Sequence, residues 1–187
     1  LIAAQGRLAL ARETCESEHL EAIGAVLDRM DAVIDSTVTL ARLDGTSMEI
    51  EAIPLTAVTT SSWRRERTAD ATLEVADELT IRGDTTHVSH LFEQLFQNAV
   101  EHAGEDVTVR IGRLGERGFY VEDDGPGIPE AERDRVMDSR HTAAITGTGL
   151  GLAIVTRIAS LHGWEVAITA KTDGGTRVEV TNVEVVS

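Results

Sequence analysis

Asp123-Asp124-Gly125-Pro126-Gly127-Ile128, followed after a polar interval by Gly147-Thr148-Gly149-Leu150-Gly151-Leu152, is the stretch on which the fold turns. Two glycine clusters flank a segment with no strand pattern of its own, the arrangement of a lid over a ligand. Glycines take positive φ and let backbone amides come close to a phosphate. The second cluster also feeds a helix, whose N-terminal N–H groups and dipole favour an anion. Two other glycine-rich loops are ruled out by their neighbours. A Walker loop needs Lys-Ser or Lys-Thr after its last glycine, and Gly151 is followed by Leu152-Ala153. A dinucleotide fingerprint needs G-x-G-x-x-G directly after a strand; here the spacing is G-x-G-x-G after a non-strand segment. Either cluster alone would also suit an ordinary turn or helix cap.

Outward from this stretch, Gly118 to Glu122 reads as a strand leading in, paired as a hairpin with Val107 to Ile111. Leu150 to Leu161 reads as an apolar-periodic helix leading out, stopped by Gly163. Upstream, Asp84 caps a helix running to about His102. Its apolar face is Val88, Leu91, Phe92, Leu95, Phe96, Ala99 and Val100; its other face carries Gln94, Asn98, Glu101 and His102. Asn is unfavourable inside a helix, so Asn98 beside a core stripe calls for a reason, chemical or merely a satisfied amide. Met48 to Ile53 alternates as a strand, Pro54 opens a helix from Leu55 to about Arg67, and Leu73-Glu74-Val75 and Leu79-Thr80-Ile81 form two short strands. Trp164 to Thr169 and Thr176 to Val183 are the last strands, turned by Asp173-Gly174-Gly175.

Residues 1–45 read as a helical hairpin and 46–187 as a second domain, with Gly45 a C-cap near the boundary. Leu1, Ala4, Leu8, Ala11 and Cys15 recur at helical spacing, as do Ile23, Leu27, Met30, Ile34 and Ala41; Ser17 is placed to cap the second helix. Two helices bury little, so the hairpin is expected to pair with a second copy as a four-helix bundle. The chain has 187 residues, 42% of them hydrophobic, and no apolar run of membrane-spanning length. It begins at Leu1 and is expected to be part of something longer, with any membrane attachment in segments outside it. Cys15 is the only cysteine, which excludes an intrachain disulfide and suits a reducing, cytoplasmic setting. A net charge of −15 argues against a nucleic-acid surface. Scattered acidic residues with Lys171 as the only lysine suit a halophilic source.

With these pieces in order, residues from about Met48 to Val183 resemble the ATP-binding domain of sensor histidine kinases, which shares a superfamily with gyrase-type ATPases. The carriers are an Asn-bearing helix, D-x-G-x-G, a lid, G-x-G-x-G and a final Gly-Gly-Thr turn. Leu1 to Leu43 is similar to the family's dimerisation and phosphotransfer helices. The acidic bias and His162-Gly163-Trp164 look like archaeal members from salt environments. The resemblance implies an α+β, Bergerat-type sandwich: a mixed sheet with helices on one face, behind a helical hairpin. It implies ATP and Mg²⁺ as cofactors. By resemblance Asp123 accepts a hydrogen bond from the adenine amino group, Asn98 binds Mg²⁺ through its side-chain oxygen, and Gly125 and Gly127 make room for the base beside Ile128. Gly147, Thr148, Gly149, Leu150, Gly151 and Leu152 match the phosphate loop and helix start, and Thr176 lies near the adenine end. Gln94 stands where the kinases carry asparagine and the hydrolysing cousins a glutamate base, which counts against an ATPase of that kind.

Other departures set the alternatives. Glu101-His102 replace a usual Lys-aromatic pair; His102 is expected to reach a phosphate oxygen, and Glu101 to lie on the helix surface. The lid segment Val136-Met137-Asp138-Ser139-Arg140-His141 lacks the family's aromatic pair. No phosphoacceptor is found: by resemblance it falls upstream of Leu1, and His19 is no substitute. The reading is a histidine kinase catalytic region that forms a homodimer and passes phosphate to a response-regulator receiver domain. The rivals are an anti-sigma-type Ser/Thr kinase of the same superfamily, and a degenerate scaffold or phosphatase.

Overall fold

The computed structural model describes residues 1–14, 18–43, 47–66, 70–104, 106–131, 133, 150–171 and 174–186. Cys15, Ser17, Gly45, Asp173, the lid segment Val136 to His141, and Gly147, Thr148 and Gly149 lie outside them.

Helices α1 (Ile2–Thr14) and α2 (Glu18–Leu43) form the expected hairpin, with the Gln5 side-chain amide donating to Asp31 Oδ2 at 3.2 Å. The remaining elements are β1 (Glu51–Pro54), α3 (Leu55–Glu66), β2 (Thr72–Val75), β3 (Thr80–Gly83), α4 (Thr85–Ala103), β4 (Thr108–Arg113), β5 (Gly118–Asp123), α5 (Gly151–His162), β6 (Glu165–Ala170), β7 (Thr176–Thr181) and β8 (Val185–Val186). Five strands make a mixed sheet in the order β2-β4-β5-β7-β6, parallel only between β2 and β4. The expected mixed α/β architecture is present. Pro54, read as opening α3, is instead the last residue of β1, and β2 and β3, read as two short strands with no pairing assigned, do not share a sheet. β3 instead sits between β1 and β8 in a separate three-stranded antiparallel sheet. Alternation fixes which face of a strand is buried, not which strand it pairs with, so the link at Ala76 to Glu78 was silent on this point. β8, with two residues, carries no readable alternation.

Helix α4 is built as its sequence demands. Asp84 Oδ1 accepts from the His87 N–H at 3.0 Å as N-cap, and Gly104 closes the other end with φ +115°. The apolar face of α4 is buried through Val88, Leu91, Phe92, Leu95, Phe96 and Ala99, against α3, α5 and the five-stranded sheet. Leu40 and Leu43 of α2 join this same core, so the end of the hairpin is anchored in it.

A histidine secures the start of α4. The Asp84 N–H donates to His162 Nε2 at 3.0 Å, and His162 Nδ1 lies 2.8 Å from the Ile158 carbonyl oxygen, which makes Nδ1 the protonated nitrogen. The ring stacks on Trp164 with centroids 4.3 Å apart, and buried His87 meets it edge-on at 5.7 Å. Burial lowers the His162 pKa from its ordinary 6.5, with His87 adding to the fall and the Ile158 carbonyl and Asp84 only partly opposing it. Because the folded value is depressed, the unfolded chain binds more protons below pH 6.5, and stability falls as pH drops through that window. Urea midpoints should therefore decline from pH 7 toward pH 5.5. His162→Gln, whose amide oxygen can still accept from Asp84, should flatten that decline; an unchanged slope would place the titration elsewhere.

Candidate functional site

The face of α4 beside its core stripe carries Gln94, Asn98, Glu101 and His102, and it borders a cavity of about 670 Å³. That is the size of a small-molecule or nucleotide pocket. The strands supply an apolar wall through Val109, Val121, Ile168 and Val178. Asp123 stands at the end of β5, where the sheet gives way to the first glycine turn.

Asp123 is held from two sides. Its Oδ1 accepts from the Gly125 N–H at 2.9 Å and from the Thr176 N–H at 3.1 Å, tying β5 to the start of β7. Two backbone donors on one oxygen fix the carboxylate, and Oδ2, on a residue of the cavity wall, has no hydrogen-bond partner among the described residues. The turn needs its glycines here. A Cβ on Gly125 would overlap Ala103 of α4, and one on Gly175, with φ +91°, would overlap the Asp123 carbonyl oxygen. Gly127 has φ +76° against Gly175, so the two turns nest backbone to backbone. Neighbouring Asp124 turns outward, where Oδ1 accepts from the Thr108 N–H at 2.8 Å.

At the other end, α5 begins against α4. A Cβ placed on Gly151 would lie 3.0 Å from Gln94 Oε1 and 3.1 Å from Asn98 Oδ1, so both amide oxygens crowd the helix start. Among the described residues, no group of three His, Cys, Asp or Glu is placed to hold a metal. The donor set that exists is a side-chain amide oxygen beside a helix N-terminus, which fits Mg²⁺ arriving with phosphates and keeping water.

Of the residues singled out in the sequence, Gln94, Asn98, His102, Asp123, Gly127, Ile128, Gly151, Leu152 and Thr176 line this one cavity. Gly125 is not among the lining residues but donates its N–H to Asp123 Oδ1, and Leu150 is the residue before α5, its carbonyl accepting from the Ile154 N–H at 3.0 Å. Glu101 is exposed, as expected, at the cavity rim. Sequence reasoning missed two parts. The apolar wall was signalled by strand alternation at Val109 and Val121 but not connected to the site. Ala25, Asp28, Arg29 and Ala32 of α2 also line the cavity, and nothing local in α2 announces it.

A family model described as "Histidine kinase-, DNA gyrase B-, and HSP90-like ATPase" matches residues 83–185. The chain is 29% identical over 188 residues to a probable sensor histidine kinase HK of Mycobacterium tuberculosis (strain CDC 1551 / Oshkosh), covering 94% of this chain and 50% of that protein. It is 30% identical over 166 residues to the sensor protein QseC of Escherichia coli (strain K12), covering 82% of this chain and 37% of that protein. It thus spans half or less of the length of these two relatives. Among solved structures, a mycobacterial sensor histidine kinase MprB matches 73% of this chain and 97% of its own, with a TM-score of 0.60 and 25% identity. Full-length ShkA, solved with AMPPNP, matches 98% of this chain and 43% of its own, with a TM-score of 0.67; at 20% identity the likeness is one of fold. Among the described residues, no helix is long and apolar enough to cross a membrane.

Proposed function

Because the chain belongs to the histidine kinase-, DNA gyrase B- and HSP90-like ATPase family, as a sensor histidine kinase ATP-binding domain, we propose that the cavity between α4, β5 and α5 holds Mg²⁺-ATP for phosphoryl transfer to a histidine. The observation that carries this reading is the polarity of the cavity. One end has a rigid carboxylate, Asp123; the other has two amide oxygens at the start of a helix, and apolar strand residues lie between them.

Each residue then has a task. Asp123 accepts from the adenine amino group and so selects adenine over guanine. Val109, Val121, Ile168 and Val178 cover the base with apolar surface. Asn98, with Gln94 beside it, supplies the oxygen for Mg²⁺, which neutralises phosphate charge when bound. Gly151 and Leu152 open a helix whose free N–H groups face the anion, and His102 borders the same space. Gly147, Thr148 and Gly149 complete the phosphate loop in this proposal. The γ-phosphorus gains a bond to an imidazole nitrogen as its bond to the β–γ bridging oxygen breaks; ADP leaves with the electron pair and the imidazole loses its proton. Positioning and charge neutralisation carry most of such a step. A response-regulator aspartate is the onward acceptor. Residues 1–45 serve as the dimerisation hairpin and 46–187 as the catalytic domain.

The dimer rests on a stripe of apolar side chains along α2: Ile23, Val26, Met30, Val33, Ile34 and Val38 are all exposed in the single chain. Such a stripe at helical spacing suits a second copy. Sedimentation velocity should show a dimer at micromolar concentration; a monomer throughout would rule this out.

The reading is tested by calorimetry with ATP and GTP, each with Mg²⁺ and with a chelator. Binding of Mg²⁺-ATP that weakens on chelation and is not matched by GTP is expected. No heat with any nucleotide would leave only a scaffold role.

A further inference from the structure

We propose that Arg29, on helix α2 of the hairpin, contacts the nucleotide phosphates, so that the dimerisation hairpin supplies part of the ATP site from within the same chain. The inference deepens the nucleotide reading above and rests on it.

Three observations carry it. First, Ala25, Asp28, Arg29 and Ala32 all line the 670 Å³ cavity, and their spacing puts them on one face of α2. The two alanines flanking the pair keep that wall thin, which leaves room for a long side chain between them. Second, this face lies toward the phosphate end of the cavity. Asp28 and Ala32 also border an adjoining cavity with Gln94, Gln97 and Ile154, which places them across from the amide-bearing turns of α4 and the first turn of α5, not from Asp123. The position is a built one, since Leu40 and Leu43 fasten the same helix into the core. Third, the charge is needed. The described lining residues include four carboxylates, Asp28, Glu101, Glu122 and Asp123, and Arg29 is the only arginine or lysine among them. Glu122 is answered at 2.9 Å by Arg177, its cross-strand partner on β7; the other three carboxylates oppose a polyphosphate. A guanidinium matches two phosphate oxygens at once, which an ammonium or imidazole does not. Arg29 already takes part in an interaction in this structure, so phosphate would replace an existing neighbour.

Two consequences follow from this placement. Phosphates would draw α2 and α4 together, linking nucleotide occupancy to hairpin docking. The linkage would also scale with the number of phosphates.

The experiment is calorimetry of the whole chain with Mg²⁺-ATP, Mg²⁺-ADP and AMP, comparing wild type with Arg29→Ala, Arg29→Gln and Arg29→Lys, with thermal melts of each ligand-free variant. Loss of a charged hydrogen-bond partner predicts an affinity for Mg²⁺-ATP about tenfold lower in the Ala and Gln variants. AMP should be weakened less, and Lys should recover part of the loss. Wild-type affinity for Mg²⁺-ATP in a folded Gln variant overturns the proposal. So does an equal loss for AMP and ATP, which would make Arg29 a wall residue. A wild type that binds none of the three overturns the nucleotide reading itself, and this proposal with it.

Discussion

Asp123→Asn is expected to weaken Mg²⁺-ATP binding by about 100-fold or more while the protein stays folded. The carboxylate is committed before any ligand arrives: Oδ1 accepts from the Gly125 and Thr176 backbone N–H groups at 2.9 and 3.1 Å. An asparagine has one oxygen. If that oxygen keeps the two backbone bonds, the NH₂ group takes the place of Oδ2, and the adenine amino group meets a donor instead of an acceptor. If the amide flips to greet adenine, both backbone donors lose their partner and the nested turns at Gly125 and Gly175 loosen. Either state costs a hydrogen bond to a charged group and leaves a donor unsatisfied. Asp124→Asn is the control, since its Oδ1 only holds the Thr108 N–H on the exposed side. Calorimetry and thermal melts on both variants check the expectation. Wild-type affinity in Asp123→Asn would reduce Asp123 to a turn residue.

The sequence disclosed the site in proportion to how local each contribution is. Asp123 sits in a glycine turn, Gly151 at a helix start, and Asn98 on the polar face of a helix whose cap and apolar stripe are all within twenty residues. Each is readable because the physics that places it is nearby. Arg29 is different. On α2 alone, Asp28-Arg29 flanked by alanines is a solvated helix face; it becomes a cavity wall only because Leu40 and Leu43 dock the helix into a core formed far along the chain. The partner of a strand is similarly non-local, which is why β2 and β3 were legible as strands but not as members of different sheets. Phe119 of β5 shows the same boundary: its burial could be read from alternation, its neighbours could not.

Those neighbours set the second large effect, the loss of about 3–5 kcal/mol of stability expected for Phe92→Ala. The chain has three phenylalanines, two tryptophans and one tyrosine, and five of these six rings form one continuous series. Trp63 of α3 meets Phe96 edge-on at 5.1 Å, Phe96 lies 5.8 Å from Phe92, Phe92 lies 5.5 Å from Phe119, and Phe119 meets Trp164 at 6.4 Å. Phe92 is the link between the helix pair and the sheet, and it is fully buried. Truncating it removes its own apolar surface from the core and leaves a void that neighbouring rings, each held by the next, fill poorly. Against a total stability of about 5–15 kcal/mol for a domain, such a loss is a large fraction. Phe92→Leu keeps most of the volume and should lose about 1–2 kcal/mol. The two predictions also separate from each other. Phe92 does not line the cavity that Asn98 borders, so the folded Ala variant should still bind nucleotide. Mg²⁺-ATP at a hundred times its Kd should then restore about 2.7 kcal/mol of its stability by mass action. Asp123→Asn at the same nucleotide concentration should gain far less. Urea titrations with and without nucleotide measure both. A Phe92→Ala loss below about 1 kcal/mol would mean that the core closes over the gap and that α4 is positioned by something other than the aromatic series.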